Sequence, residues 1–404
     1  MSPPVGHAPD LGTFFRNLHD CRHKCDHTHG LHPYPAKFIP HIPRAIIARY
    51  ATPGLPVLDP MCGSGTALVE AAASGFPAIG ADINPVAVLV SKAKTTPLDA
   101  ADRREVARVA RALEEAAERF RSDERTLRAC VTPERIPAFR NRSLWFSDAV
   151  ALELAHAKAL LSRARTRRAA ALGLCAFSAV LVSVSNQESE TRWCARPRAL
   201  RCGEATRRLA LKLRDSLERV REFTSRDPAP VVVAEANARA LPFPSGSAGL
   251  VVSSPPYANS HDYYLYNKLR LFWLGREVAR VQAAEIGSRN RHSDLKEPIE
   301  RYVSEMTDVL GEIRRCLVRR GKAVIVVGDS VVRGELFRMD QVFTAIGARV
   351  GLALLDEHHF AHRPFNTAFP RSFGTRRKKL THVLVFEKRR PASSGPHRPR
   401  RAGS

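Results

Sequence analysis

Short apolar runs recur along the chain, and most are followed by a turn and then by a segment whose apolar residues have helical spacing. Runs this short, bounded by Gly and Pro, predict buried strands, whereas recurrence at every third and fourth residue predicts helices. The predicted strands are 57–58, 78–81, 230–234, 249–253, 323–327 and 381–386, and the predicted helices include 40–49, 67–74, 299–317 and 339–346. Strands that alternate with helices through short connections favour a parallel sheet.

A long helical stretch rich in Ala, Leu, Arg and Glu separates the second predicted strand from the third. We therefore predict an α/β fold with a Rossmann-like, doubly wound sheet and a helical insertion. The predicted boundaries place the α/β domain in 1–95 and 228–390, the insertion in 96–227 and a disordered basic tail in 391–404. One apolar stretch, 169–185, is shorter than the roughly 20 apolar residues of a membrane span, so it predicts a buried core helix.

The charge balance is strongly basic: 64 Lys and Arg stand against 40 Asp and Glu in 404 residues, for a formal net charge of +24. Such an excess favours association with polyanions, although a solvated Arg-rich surface would give the same composition. The eight cysteines lack the density of a disulfide scaffold and indicate a reducing compartment. Because the first residues also lack a signal-peptide pattern, we expect a soluble, cytoplasmic protein that does not interact with membranes.

The first predicted strand leads into a Gly-rich turn, VLDPMCGSGT at 57–66. Gly63 and Gly65 allow the backbone to come close to a ligand and to adopt φ values that other residues resist. Asp59 stands at the strand tip, where it could accept a hydrogen bond from a ligand ammonium group. Asp82 ends the next strand, and an acid there is placed to hold the ribose hydroxyls of a nucleoside.

Two nucleotide-binding patterns are missing from this turn, and their absence narrows the kinds of ligand that it could bind. The turn has no Gly-Lys-Ser/Thr, and its spacing differs from the G-x-G-x-x-G dinucleotide fingerprint. A nucleoside with a charged amino-acid tail, such as S-adenosyl-L-methionine, fits better. Asn237, just past the third strand, could bind an adenine edge, although this segment and the Gly-rich turn could both be ordinary turns without a ligand.

The tetrapeptide Ser254-Pro255-Pro256-Tyr257 follows a predicted strand, and its two prolines make it stiff. The Ser254 hydroxyl and the Pro255 carbonyl could accept both hydrogens of an exocyclic base amine and free its delocalised lone pair. The Tyr257 ring could stack on a base turned out of its duplex. Attack on cytosine carbon 5 would instead need a cysteine nucleophile, usually in a Pro-Cys dipeptide, and the chain has none. A rigid turn without chemistry is the alternative.

Taken together, these motifs resemble those of the amino-methylating DNA methyltransferases, most closely the cytosine-N4 type. The resemblance rests on DPMCGSGT at 59–66, SPPY at 254–257, HPYPAKFIPHIPRAI at 32–46 and ANSHDYYLYNKLRLFWLG at 258–275. It implies that 32–46 packs against the methionine moiety of the cofactor and that 1–95 and 228–390 form the catalytic domain. The predicted catalytic residues are Ser254, Pro255, Pro256 and Tyr257, and the predicted cofactor-binding residues are Asp59, Pro60, Gly63, Gly65, Thr66, Asp82, Asn237, Tyr34 and Lys37.

The resulting hypothesis is methyl transfer from S-adenosyl-L-methionine to cytosine N4 in double-stranded DNA. Its setting would be restriction–modification, with a cognate restriction endonuclease as a partner, or a solitary methylase. Three alternatives stay open: an adenine-N6 DNA methyltransferase, an RNA base or protein-glutamine methyltransferase, and a non-catalytic DNA-binding protein on a methylase scaffold. A serine in the first place of the tetrapeptide is typical of the cytosine-N4 enzymes and favours that choice.

Two further clusters remain. Residues 21–32 contain two cysteines and four histidines, but their spacing is not a standard metal-ligand pattern, so no metal is predicted. The basic stretch 192–221, within the insertion, is the first candidate for recognition of the DNA duplex. The sequence predicts no oligomeric state.

Overall fold

The computed structural model describes residues 10–16, 27–259, 261–295, 297–361 and 380–389. In chain order its strands are β1 (Val57–Asp59), β2 (Ala78–Asp82), β3 (Gln187–Ser189), β4 (Arg192–Ala195), β5 (Val231–Glu235), β6 (Ala248–Ser253), β7 (Leu317–Gly328), β8 (Ser330–Val332), β9 (Glu335–Phe337), β10 (Leu352–Ala361) and β11 (Leu380–Lys388). Seven of them form one sheet in the order β10-β11-β7-β6-β1-β2-β5, while β3–β4 and β8–β9 form two small hairpins.

Five neighbouring strands of the sheet, β7, β6, β1, β2 and β5, run parallel. The last strand, β11, pairs antiparallel with β7, and β10 pairs antiparallel with β11. The chain winds outward from β1 to β2 and β5 on one side and returns to start β6 on the other, so β1 and β6 flank a topological switch point. Ligands of open α/β sheets bind at the carboxyl ends of the strands at such a point.

Fifteen α-helices are present in the described part of the chain. They are α1 (Leu11–Arg16), α2 (His41–Tyr50), α3 (Thr66–Ala73), α4 (Pro85–Thr95), α5 (Ala100–Ser122), α6 (Glu124–Cys130), α7 (Arg142–Trp145), α8 (Asp148–Ser162), α9 (Arg167–Val184), α10 (Glu204–Thr224), α11 (Tyr263–Tyr266), α12 (Lys268–Trp273), α13 (Val278–Ala284), α14 (Ile299–Cys316) and α15 (Met339–Val350). Helix starts follow the sequence: Asn84 caps α4 ahead of Pro85 at the first helical position, and Asp99 and Asp102 form a capping box on α5.

Three layers of apolar residues hold these elements together. Helices α14 and α15 pack on one face of the sheet, and α1, α2 and α3 pack on the other. The helices inserted between β2 and β5 pack with α4 and α12 into a third cluster, which also contains Tyr34 and Tyr264. The insertion therefore shares its core with residues next to the switch point.

The predicted Rossmann-like sheet with a helical insertion between its second and third strands is confirmed. Each of the six predicted strands coincides with a strand of the main sheet, five of them within two residues at each end, while β7 begins six residues before its predicted start. The missed elements are β10, at the sheet edge, and the two short hairpins. Helix α9 covers the apolar stretch at 169–185; it is long and apolar enough to cross a membrane, but 67% of it is buried inside the protein, as predicted for a core helix.

Candidate active site

The turn after β1 is held by backbone and carboxylate contacts to the neighbouring strand β2. The Cys62 N–H donates to the Ala81 carbonyl at 2.9 Å. One Asp82 carboxylate oxygen accepts the Gly63 N–H at 2.8 Å, and the other accepts the Asn84 N–H at 2.8 Å. Asp82 thus fixes both the turn and the start of α4, and its remaining lone pairs face a pocket.

Gly65 is required by the geometry of this turn. Its φ is +75°, and an added Cβ would lie 3.1 Å from the Ser91 Cα and 2.8 Å from the Ser91 Oγ. The Ser91 hydroxyl in turn donates to the Gly63 carbonyl at 2.9 Å. Any side chain at Gly65 would therefore separate the turn from α4.

The acid at the tip of β1 connects the two strands of the switch point. The Ser253 hydroxyl, on β6, donates to an Asp59 carboxylate oxygen at 2.9 Å, and the Met61 N–H donates to the same oxygen at 3.3 Å. Burial raises the pKa of the Asp59 carboxyl to about 7, and removal from water raises the pKa of Asp82 to about 6. A cationic ligand group would stabilise the charged forms of both acids.

These acids line a pocket with about 940 Å³ of empty space, which we call the loop pocket. It brings together most of the residues predicted to bind a cofactor, and it reaches the tetrapeptide Ser254-Pro255-Pro256-Tyr257. The predicted residues in its lining are Tyr34, Lys37, Asp59, Pro60, Gly63, Thr66, Asp82 and Asn237, with Ser254 and Pro256 from the tetrapeptide. Gly65 is absent from the lining, so its contribution is to the shape of the turn.

The tetrapeptide sits directly after β6 and is held from two sides. The Tyr302 hydroxyl of α14 donates to the Pro256 carbonyl at 2.9 Å. The Tyr257 ring lies against Gly328, where an added Cβ would come within 2.8 Å of the ring. The Pro255 carbonyl is not used by any hydrogen bond within the described chain, so it remains available as an acceptor.

A second pocket, with about 880 Å³ of empty space, lies on the other side of the tetrapeptide; we call it the tetrapeptide pocket. Pro255 and Tyr257 line it, together with apolar residues of α2, β7 and β10. Ser254, Lys37 and Tyr263 line both pockets. Ala36 and Phe38 also line both, so the two pockets meet along a shared wall to which Ser254 belongs.

Two site residues come from the segment that follows the tetrapeptide. Tyr263 stacks near Tyr34, with ring centroids 6.4 Å apart and an interplanar angle of 19°. Glu285 also lines the loop pocket; its carboxylate accepts the Tyr263 N–H at 2.7 Å and the Tyr264 N–H at 3.4 Å. Burial raises the pKa of Glu285 to about 8. Glu285 was missed by sequence reasoning, because nothing local in the sequence indicates that α13 folds back over the pocket.

The segment before α2 also reaches the site. Tyr34 is buried, and the Lys37 ammonium lies 3.4 Å from the carbonyl oxygens of His29 and His32. The His29 ring contacts Glu70 at 2.7 Å, and the His32 ring contacts the Ser178 hydroxyl at 3.0 Å, both in the core. These two histidines of the Cys/His cluster thus have packing partners; Cys21, His23 and Cys25 lie outside the described residues.

Within the described chain, the one group of side chains close enough to share a metal ion is Asp329, Asp340 and His382. The His382 ring contacts Asp329 at 2.9 Å, and the Arg338 guanidinium lies 3.6 Å from Asp329 and 3.3 Å from Asp340. The guanidinium already supplies positive charge to both acids. This cluster is therefore explained as an ion-pair network at the start of α15.

Comparison with known proteins finds one matching domain and two relatives. Residues 33–130 match the family described as RMKL-like methyltransferase domain, UPF0020. The chain is 28% identical over 273 residues to the Type II methyltransferase M.MvaI of Kocuria varians, which covers 62% of this chain and 58% of that protein. It is 37% identical over 78 residues to the Type II methyltransferase M.MjaII of Methanocaldococcus jannaschii, which covers 19% of this chain and 15% of that protein.

The matched part of the chain thus spans less than two thirds of the length of either relative. Among solved structures, a SAM-dependent methyltransferase from Methanosarcina mazei aligns with 85% of this chain and 96% of its own, at 12% identity and a TM-score of 0.32. The matched domain and both relatives are methyltransferases by description.

Proposed function

We propose that this protein methylates cytosine N4 in double-stranded DNA, and that it does so as a site-specific modification enzyme. The observation that carries the proposal is the position of Ser254, which lines both the loop pocket and the tetrapeptide pocket. A donor in one pocket and a base in the other would meet at this side chain.

The loop pocket is assigned to S-adenosyl-L-methionine, which supplies a methyl group on a positively charged sulfonium. Asp82 would accept from the ribose hydroxyls with its free lone pairs, and Asn237, two residues past the end of β5, would reach the adenine. Asp59 and Glu285 place two further carboxyls in or beside a partly apolar pocket. Ionised carboxylates there complement the positive charges of the donor.

The tetrapeptide pocket is assigned to the target base, turned out of the duplex. The Ser254 hydroxyl and the Pro255 carbonyl would accept the two amine hydrogens, which draws the nitrogen lone pair out of conjugation with the ring. The proton lost from nitrogen would pass to a nearby acceptor or to water. Because Tyr302 fixes the Pro256 carbonyl and Gly328 supports the Tyr257 ring, the acceptors are held in place before substrate binds.

Double-stranded DNA is the proposed substrate, and the insertion is the proposed recognition region. Its β3–β4 hairpin lies beside the segment that follows the tetrapeptide: the buried Arg270 of α12 contacts Glu190 at the hairpin turn at 2.6 Å. Trp193 on β4 lies 5.2 Å from the Lys268 ammonium. A duplex lying across this hairpin would present a base to the tetrapeptide pocket, and a cognate restriction endonuclease would be the partner in a restriction–modification setting.

The experiment that tests the proposal identifies the modified nucleoside. The protein is incubated with radiolabelled S-adenosyl-L-methionine and either DNA or RNA, and the products are digested to nucleosides and separated. We expect label in N4-methylcytosine from DNA. Label confined to N6-methyladenine would overturn the cytosine assignment, label confined to RNA would overturn the DNA assignment, and binding of DNA without transfer would support a non-catalytic protein.

A further inference from the structure

We propose that Thr381 is a specificity residue, whose hydroxyl donates a hydrogen bond to O2 of the target cytosine. This inference rests on the proposed function and adds to it the group that distinguishes cytosine from adenine. Thr381 lies on β11, far in sequence from every motif, and it lines the tetrapeptide pocket.

The Thr381 hydroxyl lacks a partner within the protein. The side chain is 2% exposed, and its Oγ1 makes no hydrogen bond in the described part of the chain. An unsatisfied buried hydroxyl costs about 1–3 kcal/mol, and a ligand that accepts its hydrogen bond would recover that cost. A hydroxyl that faces a pocket is positioned to be satisfied by whatever fills that pocket.

The pattern along β11 makes this hydroxyl more unusual. Val385 and Val383 lie on the same face of the strand as Thr381, and both are buried in the cluster beneath α2. At the next position on this face, opposite Gly328 of β7, a third valine would continue the apolar surface. The chain instead has threonine, which has nearly the same shape as valine but carries a hydroxyl in place of one methyl group.

The distance across the sheet fits a pyrimidine. Ser254 follows β6 and is level with Val326 of β7, whereas Thr381 of β11 is paired with Gly328, so the two residues are two strand spacings apart across the sheet and two residues apart along it. Their backbones are therefore about 12 Å apart, and side chains that extend towards each other would leave room for one pyrimidine with a hydrogen bond at each end. With the amine at Ser254, O2 would point towards Thr381.

The other polar groups of this pocket are less suited to read O2. Lys37 already contacts the carbonyl oxygens of His29 and His32. His261 also lines the pocket, and its Nδ1 has no hydrogen-bond partner in the described residues, but it follows the tetrapeptide by four residues, whereas Thr381 comes from a different strand. Adenine bound with its amine at Ser254 would place a carbon-bound hydrogen where cytosine has O2, so the Thr381 hydroxyl would stay unsatisfied.

The test is a double-mutant cycle, in which a change to the Thr381 side chain is combined with a change to the target base. Thr381→Val removes the hydroxyl at constant shape, and Thr381→Ser keeps it. Each variant and the wild type are assayed on duplexes whose target is cytosine or 2-thiocytosine, in which a weakly accepting sulfur replaces O2. The melting temperature and the affinity for S-adenosyl-L-methionine, measured in parallel, report folding and the loop pocket.

We expect kcat/KM on cytosine to fall about tenfold or more in Thr381→Val and to be largely retained in Thr381→Ser. The wild type should lose a similar factor on 2-thiocytosine, and Thr381→Val should lose little more. If Thr381→Val keeps wild-type activity, or discriminates against 2-thiocytosine as strongly as the wild type, the assignment of Thr381 is overturned while the proposed function stands. If wild-type protein labels only adenine or RNA, the proposed function falls and this inference with it.

Discussion

Three carboxyl groups determine the charge of the loop pocket. Asp59, Asp82 and Glu285 all have raised pKa values because they are removed from water, at about 7, 6 and 8. Each carboxylate accepts hydrogen bonds from N–H or O–H groups of the protein, so its position does not depend on a charged ligand. In the absence of a cation, a pocket with three such acids holds protons that a positively charged ligand would displace.

The resulting prediction concerns the pH dependence of cofactor affinity. A cationic donor lowers the pKa of neighbouring carboxyls, so the bound state holds fewer protons than the free state and affinity rises with pH. We expect the affinity for S-adenosyl-L-methionine to increase about three- to tenfold between pH 6 and 8, with protons released on binding. Glu285→Gln removes the group that titrates highest, so its affinity should change less between pH 7 and 8.

Isothermal titration calorimetry in two buffers of different ionisation enthalpy measures both affinity and proton release. S-adenosylhomocysteine, which lacks the sulfonium charge, is the matched ligand control and should show a weaker pH dependence. An affinity that does not rise with pH in the wild type, or an unchanged profile in Glu285→Gln, would contradict the prediction.

Site residues could be predicted from the sequence when they lie close to one another along the chain, and not when they come from distant segments. Asp59, Gly63 and Thr66 lie on one turn, and Asp82 ends the strand paired with it, so local pattern suffices to place them together. Glu285 and Thr381 reach the site only because α13 folds over the loop pocket and β11 returns to the sheet. Such contacts depend on tertiary packing that periodicity does not encode.

At the scale of elements, the same physical limit explains what was missed. The inner parallel strands β1, β2 and β6 are short, mostly buried apolar runs, and they were predicted, as was the edge strand β5. β10 lies at the edge, and its register shifts between Leu354 and Asp356, which breaks any alternation. The hairpins are three or four residues per strand, too short to have a period.

The insertion gives the element-scale prediction. The buried Glu153 of α8 caps α10: its carboxylate accepts the Gly203 N–H at 2.9 Å, the Thr206 N–H at 2.8 Å and the Thr206 hydroxyl at 2.9 Å. Glu153→Ala leaves three buried donors unsatisfied, so we expect a loss of about 3 kcal/mol in the free energy of unfolding. Because the insertion shares its core with α4 and α12, the loss should appear in one cooperative transition.

Urea denaturation followed by far-UV circular dichroism and by tryptophan fluorescence measures both points. Glu118→Ala is the matched control: Glu118 is 58% exposed and pairs with Arg121 on the surface of α5, so its removal should change stability by less than about 0.5 kcal/mol. Separate transitions by the two probes would mean that the insertion unfolds on its own.

The whole molecule has 64 basic and 40 acidic residues, but not every basic side chain is equally available to bind a phosphate. Many basic side chains of the candidate stretch 192–221 are already paired on α10: Arg207 and Arg208 with Glu204, and Lys212 and Arg219 with Asp215. Paired side chains offer less to a phosphate than unpaired ones. This narrows the candidate duplex contacts to the connector between β4 and α10.

The last prediction follows from that narrowing. Arg196 and Arg201 lie in this connector, both exposed, and neither forms an ion pair within the described chain. If each contacts one phosphate, removing it reduces the slope of log affinity against log salt by about 0.9, besides weakening binding. We therefore expect Arg196→Ala and Arg201→Ala each to weaken DNA binding and flatten its salt dependence, measured by fluorescence anisotropy over a series of salt concentrations.

Arg221→Ala is the matched control, because it removes the same charge from an exposed α10 residue that lies 3.7 Å from Glu218, and it should change the slope little. Each of the three variants removes one positive charge, so only a localised phosphate contact would make the connector variants differ from Arg221→Ala. Equal effects of all three would mean that the net charge of the protein, rather than this connector, holds the duplex.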